Sequence, residues 1–136
     1  MKYILLNILI LSTLIGTAQS TNDSVEVRIH NMGKHNIQNI TITVNGKYYT
    51  YTDIKKINFS DYQKMPYIWS TGNSLEITLE RKRFLRRKDI VTIKQFPIDH
   101  IGDHKFTNGK YVMEITTKIC KKDSQIKQEV IFETKK

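Results

Sequence analysis

The stretch NITITVNGKYYTYT, residues 39–52, sets two runs of β-branched and aromatic residues on either side of Asn45-Gly46. Asn-Gly between such runs is the preferred two-residue type I′ hairpin turn, because both central residues must take positive φ. So short a loop fixes the register. Opposed residues have numbers summing to 91, so Val44 faces Lys47, Ile42 faces Tyr49 and Ile40 faces Tyr51. Alternation then places Tyr49 and Tyr51 in the core and leaves Tyr48 outside among Thr41 and Thr43.

The same period of two runs outward from this hairpin. In SVEVRIHN, residues 24–31, Val25, Val27 and Ile29 alternate with Glu26, Arg28 and His30. SLEITLERKRF (74–84) turns Leu75, Ile77 and Leu79 inward, and DIVTIKQF (89–96) does the same with Val91 and Ile93. KYVMEITTKIC (110–120) and QIKQEVIFE (125–133) form a last pair across Lys121 to Ser124. Both prolines, Pro66 and Pro97, fall in connectors, as the loss of a ladder N–H requires. Seven to nine strands at close spacing, with no sustained helical period, predict an all-β, antiparallel two-sheet sandwich of immunoglobulin-like type. A closed barrel is the competing architecture.

The first 18 residues read differently. Lys2 precedes an apolar run from about Ile4 to Ile15, and Gly16-Thr17-Ala18 supplies small side chains for a signal peptidase. The run is shorter than the roughly 20 residues that span a bilayer. Residues 1–18 are therefore expected to be a cleaved signal peptide, residues 19–136 a single secreted or periplasmic domain with no transmembrane segment. Of 22 Lys+Arg the leader holds only Lys2, so 21 cations against 13 acids leave +8 on the mature chain. That balance favours anionic partners. Cys120 is the single cysteine, so no internal disulfide supplements the core. It is expected to lie opposite the apolar face of its strand, beside Lys118 and Lys121, as an unused thiol at a strand end.

Several short features occur together: HNMGKHNIQNITITVNG (30–46), the Tyr-x-Asp-Ile step at residues 51–54, FSDY (59–62) and NGKYVMEIT (108–116). In this arrangement the chain resembles small secreted β-sandwich proteins of Gram-negative bacteria, immunoglobulin-like or transthyretin-like in fold. The resemblance implies a fold and a compartment. It brings no catalytic residues with it.

The densest charge is LERKRFLRRKDI, residues 79–90, where Arg81, Lys82, Arg83, Arg86, Arg87 and Lys88 surround Phe84 and Leu85. Such a block cannot be buried without partners. It is expected to leave the core near Glu80 as a protruding hairpin that meets phosphate, sulfate or carboxylate groups, with Phe84 free to stack on a base or sugar. Positive charge on an exposed strand tip also blocks edge-to-edge association. A second cluster, Asp99, His100, Asp103 and His104, holds ligand types suited to a divalent metal, but in a loop no geometry enforces their spacing, and a polar turn is the default. Tyr62, Tyr67 and Trp69 could form a sugar platform, although a lone tryptophan in a sandwich more often stands as the pillar between sheets.

Nucleophile elbows, HExxH, paired cysteines and phosphate-cradling glycine loops are all absent from the sequence, so neither a catalytic residue nor a cofactor is assigned. The expectation is a noncatalytic binding protein whose basic hairpin engages an acidic protein or an anionic glycan or lipid surface. Nucleic acid is not the expected partner, since an exported protein seldom meets it. Two alternatives stand beside this reading: a small exported enzyme, metal-dependent through residues 99–104, and an inhibitor or immunity protein against an exported effector.

Overall fold

The computed structural model describes residues 23–82, 84–97 and 103–133, with the side chain of Arg86 also outside the described set. Among these residues the chain is all-β, with ten strands rather than seven to nine. They are β1 (Val25–Asn31), β2 (Asn36–Val44), β3 (Lys47–Ile54), β4 (Gln63–Met65), β5 (Ile68–Trp69), β6 (Ser74–Lys82), β7 (Lys88–Gln95), β8 (Lys105–Phe106), β9 (Gly109–Lys118) and β10 (Gln125–Phe132). One four-stranded sheet has the order β10-β9-β1-β4, a second the order β3-β2-β6-β7, and β5 pairs with β8. No sheet closes into a barrel among the described residues. One pairing corrects the expectation of purely antiparallel sheets: β1 and β9 run parallel, with Val25 opposite Gly109 and Asn31 opposite Ile115.

The hairpin forms in the register that Asn45-Gly46 requires. Val44 opposes Lys47, Ile42 opposes Tyr49 and Ile40 opposes Tyr51. Asn45 and Gly46 take φ of 51° and 73°. Tyr51 is 4% exposed and Tyr48 76% exposed. Tyr49 is only half-buried, because β3 is the edge strand of its sheet and Tyr49 packs at the margin of the core. A Cβ on Gly46 would meet nothing within 4 Å, so a substitution there is penalised by backbone conformation alone. Gly46→Val is expected to destabilise the fold by roughly 1–2 kcal/mol, read as a lower denaturation midpoint at unchanged slope.

Alternating side chains of both large sheets meet in one apolar cluster. Val25, Val27, Ile29, Met113 and Ile115 come from the first sheet, and Ile40, Ile42, Leu75, Ile77 and Leu79 from the second. Tyr51 spans the two, its hydroxyl donating to the Val27 carbonyl at 2.6 Å. Burial pushes this phenol's pKa well above the ordinary tyrosine value, which keeps it a neutral donor. Trp69 does not take the pillar position. It is 36% exposed on two-residue β5, which pairs with β8 and not within either large sheet, and its ring is edge-on to Tyr67.

The parallel pairing also sets where the connectors lie. Chain direction brings the ends of β1 and β9 together, and a Cβ at Gly33 would lie 3.2 Å from Thr117. Asn31 holds the next connectors in place: its side-chain amide donates to the carbonyls of His35 and Ile54, and its own carbonyl accepts from Ile57 N–H. β6 ends at this same edge, with Glu80 opposite Asn36.

Candidate functional site

The basic segment folds as a hairpin. β6 and β7 pair without interruption from Leu75 opposite Gln95 to Lys82 opposite Lys88, and a 3-10 turn at Phe84–Arg86 joins them. The strand therefore does not leave the ladder near Glu80, as expected from the charge pattern. Arg81, on the inward side with Leu79, is accommodated at the sheet end by an ion pair with directly opposed Asp89 at 3.1 Å. On the other face Lys88 meets Glu80 at 2.8 Å, and hydrogen bonding from Lys88 holds the Glu80 carboxyl below the usual range. Among the described residues neither Lys82 nor Arg87, both exposed, has a carboxylate at ion-pair distance. Arg83 and the Arg86 side chain lie outside the described residues. Over residues 80–89 six cations face two carboxylates, a net +4.

At the tip Phe84 is 90% and Leu85 78% exposed. Leu85 sits in the left-handed region at φ 68°, a conformation that costs a side-chain-bearing residue roughly 1–2 kcal/mol. Two apolar side chains are thus displayed in water beside cations, on a backbone that a glycine would satisfy better.

The Asp-His loop is built for a different task. Asp99 and His100 lie outside the described residues. Both carboxylate oxygens of Asp103 are engaged by one loop: Thr71 N–H donates at 3.0 Å, Gly72 N–H at 2.8 Å, and the hydroxyls of Ser70 and Thr71 also donate. The His104 carbonyl accepts from Ser70 N–H at 2.8 Å, and His104 N–H donates to the Ser70 hydroxyl at 3.1 Å. No group of three or more His, Cys, Asp or Glu side chains suited to a metal occurs among the described residues. Burial opposes ionisation of Asp103, yet the donors from Ser70, Thr71 and Gly72 outweigh it and hold the carboxyl below the usual aspartate range. A depressed carboxyl contributes stability above its unfolded pKa and loses it as pH falls through the folded value. Melting temperature should therefore decline below about pH 4, and Asp103→Asn should flatten that acid limb while lowering the neutral-pH plateau.

A third feature has no counterpart in the sequence reading. On the outer face of the first sheet, the β3–β4 connector folds over β1 and bounds a groove of about 940 Å³. His30 stacks on Phe59 at 4.0 Å, and the Arg28 guanidinium lies 4.3 Å from the Phe59 ring and 5.1 Å from Tyr62. Arg28 and Lys110 each have a carboxylate beside them, Glu133 for Arg28 and Glu26 at 3.4 Å for Lys110, and the His30 ring lies 3.8 Å from Glu114. The groove is thus electrostatically self-matched, unlike the hairpin. Its aromatic and cation–π contacts fasten the connector to the sheet.

The three aromatics proposed as a platform are divided. Tyr62 belongs to the groove with Arg28 and Lys110, whereas Tyr67 and Trp69 flank Lys105, whose ammonium lies 4.1 Å from the Tyr67 ring. Cys120 is exposed just past β9, its backbone N–H and carbonyl both bonded to the Ser124 hydroxyl. No family model matches the chain, and no curated protein or solved structure matches it.

Proposed function

We propose that this is an exported, noncatalytic binding protein that engages an acidic protein or anionic surface through the β6–β7 hairpin. The observation that carries the reading is the hairpin tip: Lys82 and Arg87, with no carboxylate at ion-pair distance among the described residues, flank the solvent-exposed Phe84 and Leu85. Cations already paired gain little from a new anion, since desolvating the existing pair offsets the attraction. By that measure the hairpin is a better anion-binding surface than the groove. The two large sheets, sharing one core, are read as the layers of an immunoglobulin-like sandwich that presents the hairpin at one end.

The test is retention of the natively processed protein on immobilised polyglutamate as salt is raised. Attraction among exposed charges weakens as the screening length shortens to about 8 Å at physiological ionic strength. Lys82→Gln with Arg87→Gln should elute at clearly lower salt with an unchanged melting temperature. Co-elution with wild type would assign the charge to solubility. Export is tested separately by N-terminal sequencing, for which Gln19 is the expected first residue and a Met1 start the contrary result.

A further inference from the structure

The hairpin tip is not alone at its end of the molecule. Because β1 and β9 run parallel, the β1–β2, β3–β4 and β9–β10 connectors gather at the end where β6 turns into β7. Lys34, Lys56 and Lys82, one from each of three segments, line a common hollow in which Glu80 is the one carboxylate among the lining residues. Lys121 and Lys122, both exposed, add two further cations from the β9–β10 connector. Exposed apolar side chains occur on the same segments: Phe84 and Leu85 at the hairpin tip, and Ile57, 73% exposed, beside Lys56 in the β3–β4 connector. Ile57, like Leu85, has positive φ, at 64°, and for a β-branched residue that is a genuine outlier.

Strained positions that keep an exposed apolar side chain point to a use for that side chain. An acidic glycan or polypeptide rewards the cations and leaves the apolar tips in water. An anionic bilayer satisfies both, offering phosphates at its surface and acyl chains a few ångströms deeper. We infer that this end of the protein docks on an anionic lipid bilayer. Phe84 and Leu85 enter the boundary between headgroups and acyl chains, and the surrounding lysines and Arg87 lie over the phosphates. The inference rests on the anionic-surface reading above and names its partner.

Each cation near such a surface raises partitioning about fivefold, and each apolar side chain that enters adds roughly tenfold. The natively processed protein should therefore float with vesicles of phosphatidylcholine plus phosphatidylglycerol, but not with phosphatidylcholine alone, and less so at high salt. Phe84→Ser with Leu85→Ser should reduce vesicle affinity about a hundredfold while leaving retention on polyglutamate unchanged. Leu85→Gly removes the side chain and relieves the positive φ, so it should bind vesicles about tenfold more weakly without loss of thermal stability. In a Phe84→Trp variant, brominated acyl chains should quench the new tryptophan and spare Trp69, which lies near the opposite end with Asn73 and the start of β6.

Equal vesicle binding by the double serine variant, or an unquenched Trp at position 84, would overturn the inference. Binding to polyglutamate without binding to anionic vesicles would overturn the lipid partner and leave the broader anionic reading standing. Binding to neither would remove both.

Discussion

Asn73→Leu is expected to lower folding stability by about 3–5 kcal/mol, with a large fall in the denaturation midpoint. Asn73 is 2% exposed, and its side chain makes three hydrogen bonds. It accepts from Trp69 N–H at 2.9 Å, donates to the Trp69 carbonyl at 2.7 Å, and donates to the Gln128 side-chain oxygen at 2.9 Å. Gln128 returns the contact by donating to the Asn73 carbonyl at 2.9 Å. Leucine would leave two part-buried backbone groups and one buried side-chain oxygen without these partners, and a fully buried group of this kind costs roughly 1–3 kcal/mol. Adding Gln128→Leu removes one orphaned acceptor, so the double variant should be less unstable than the sum of the singles. Strict additivity would mean that the two amides do not act as a unit.

The second large effect is expected at Ile77. It lies at the centre of β6, fully buried, opposed by Ile40 on one side and Ile93 on the other. Ile77→Ala should cost about 3–4 kcal/mol, because transfer energy is lost and sheet neighbours fixed on both sides cannot collapse into the space. Ile77→Val, which removes a single methylene, should cost about 1 kcal/mol. Chemical denaturation of the pair would separate the cavity contribution from any change in strand propensity. A loss below about 1 kcal/mol for the alanine variant would show that the site closes after all.

These two residues also mark how far the sequence could be read. Ile77 was legible, because its burial follows from local alternation, and the Asn45-Gly46 turn likewise fixed the opposition of Ile40 and Tyr51. Tyr49 departs from its expected burial because alternation specifies a face and not the distance from the sheet edge. Asn73 and Gln128 were not legible, since a hydrogen-bonded pair 55 residues apart leaves no periodic trace. Trp69 was misplaced for a related reason. Its strand is two residues long and, among the described residues, pairs with the equally short β8, and neither segment has enough alternation to reveal that it joins neither main sheet. Of the hairpin, the exposed tip followed from charge density, whereas continued pairing to Lys82 depended on Asp89 standing opposite Arg81. The gathering of four connectors at one end could not be read at all, because nothing local to β1 or β9 announces a parallel pairing.

That parallel ladder bears on how the chain reaches its fold. β1 is central in its sheet, yet apart from the three-residue pairing with β4 its long neighbour begins 84 residues later, from Val25 to Gly109. At ribosomal rates of about 5–20 residues per second, β1 waits roughly 4–17 s for that partner to be synthesised. The second sheet draws β2, β3, β6 and β7 from one shorter stretch and can pair earlier, but the core it shares with β1 and β9 stays open meanwhile. Long-range pairing of this kind places folding in the millisecond-to-second regime. The native core is withheld until β9 has been made, so truncation within β9 is expected to leave β1 without its long neighbour and the shared core open.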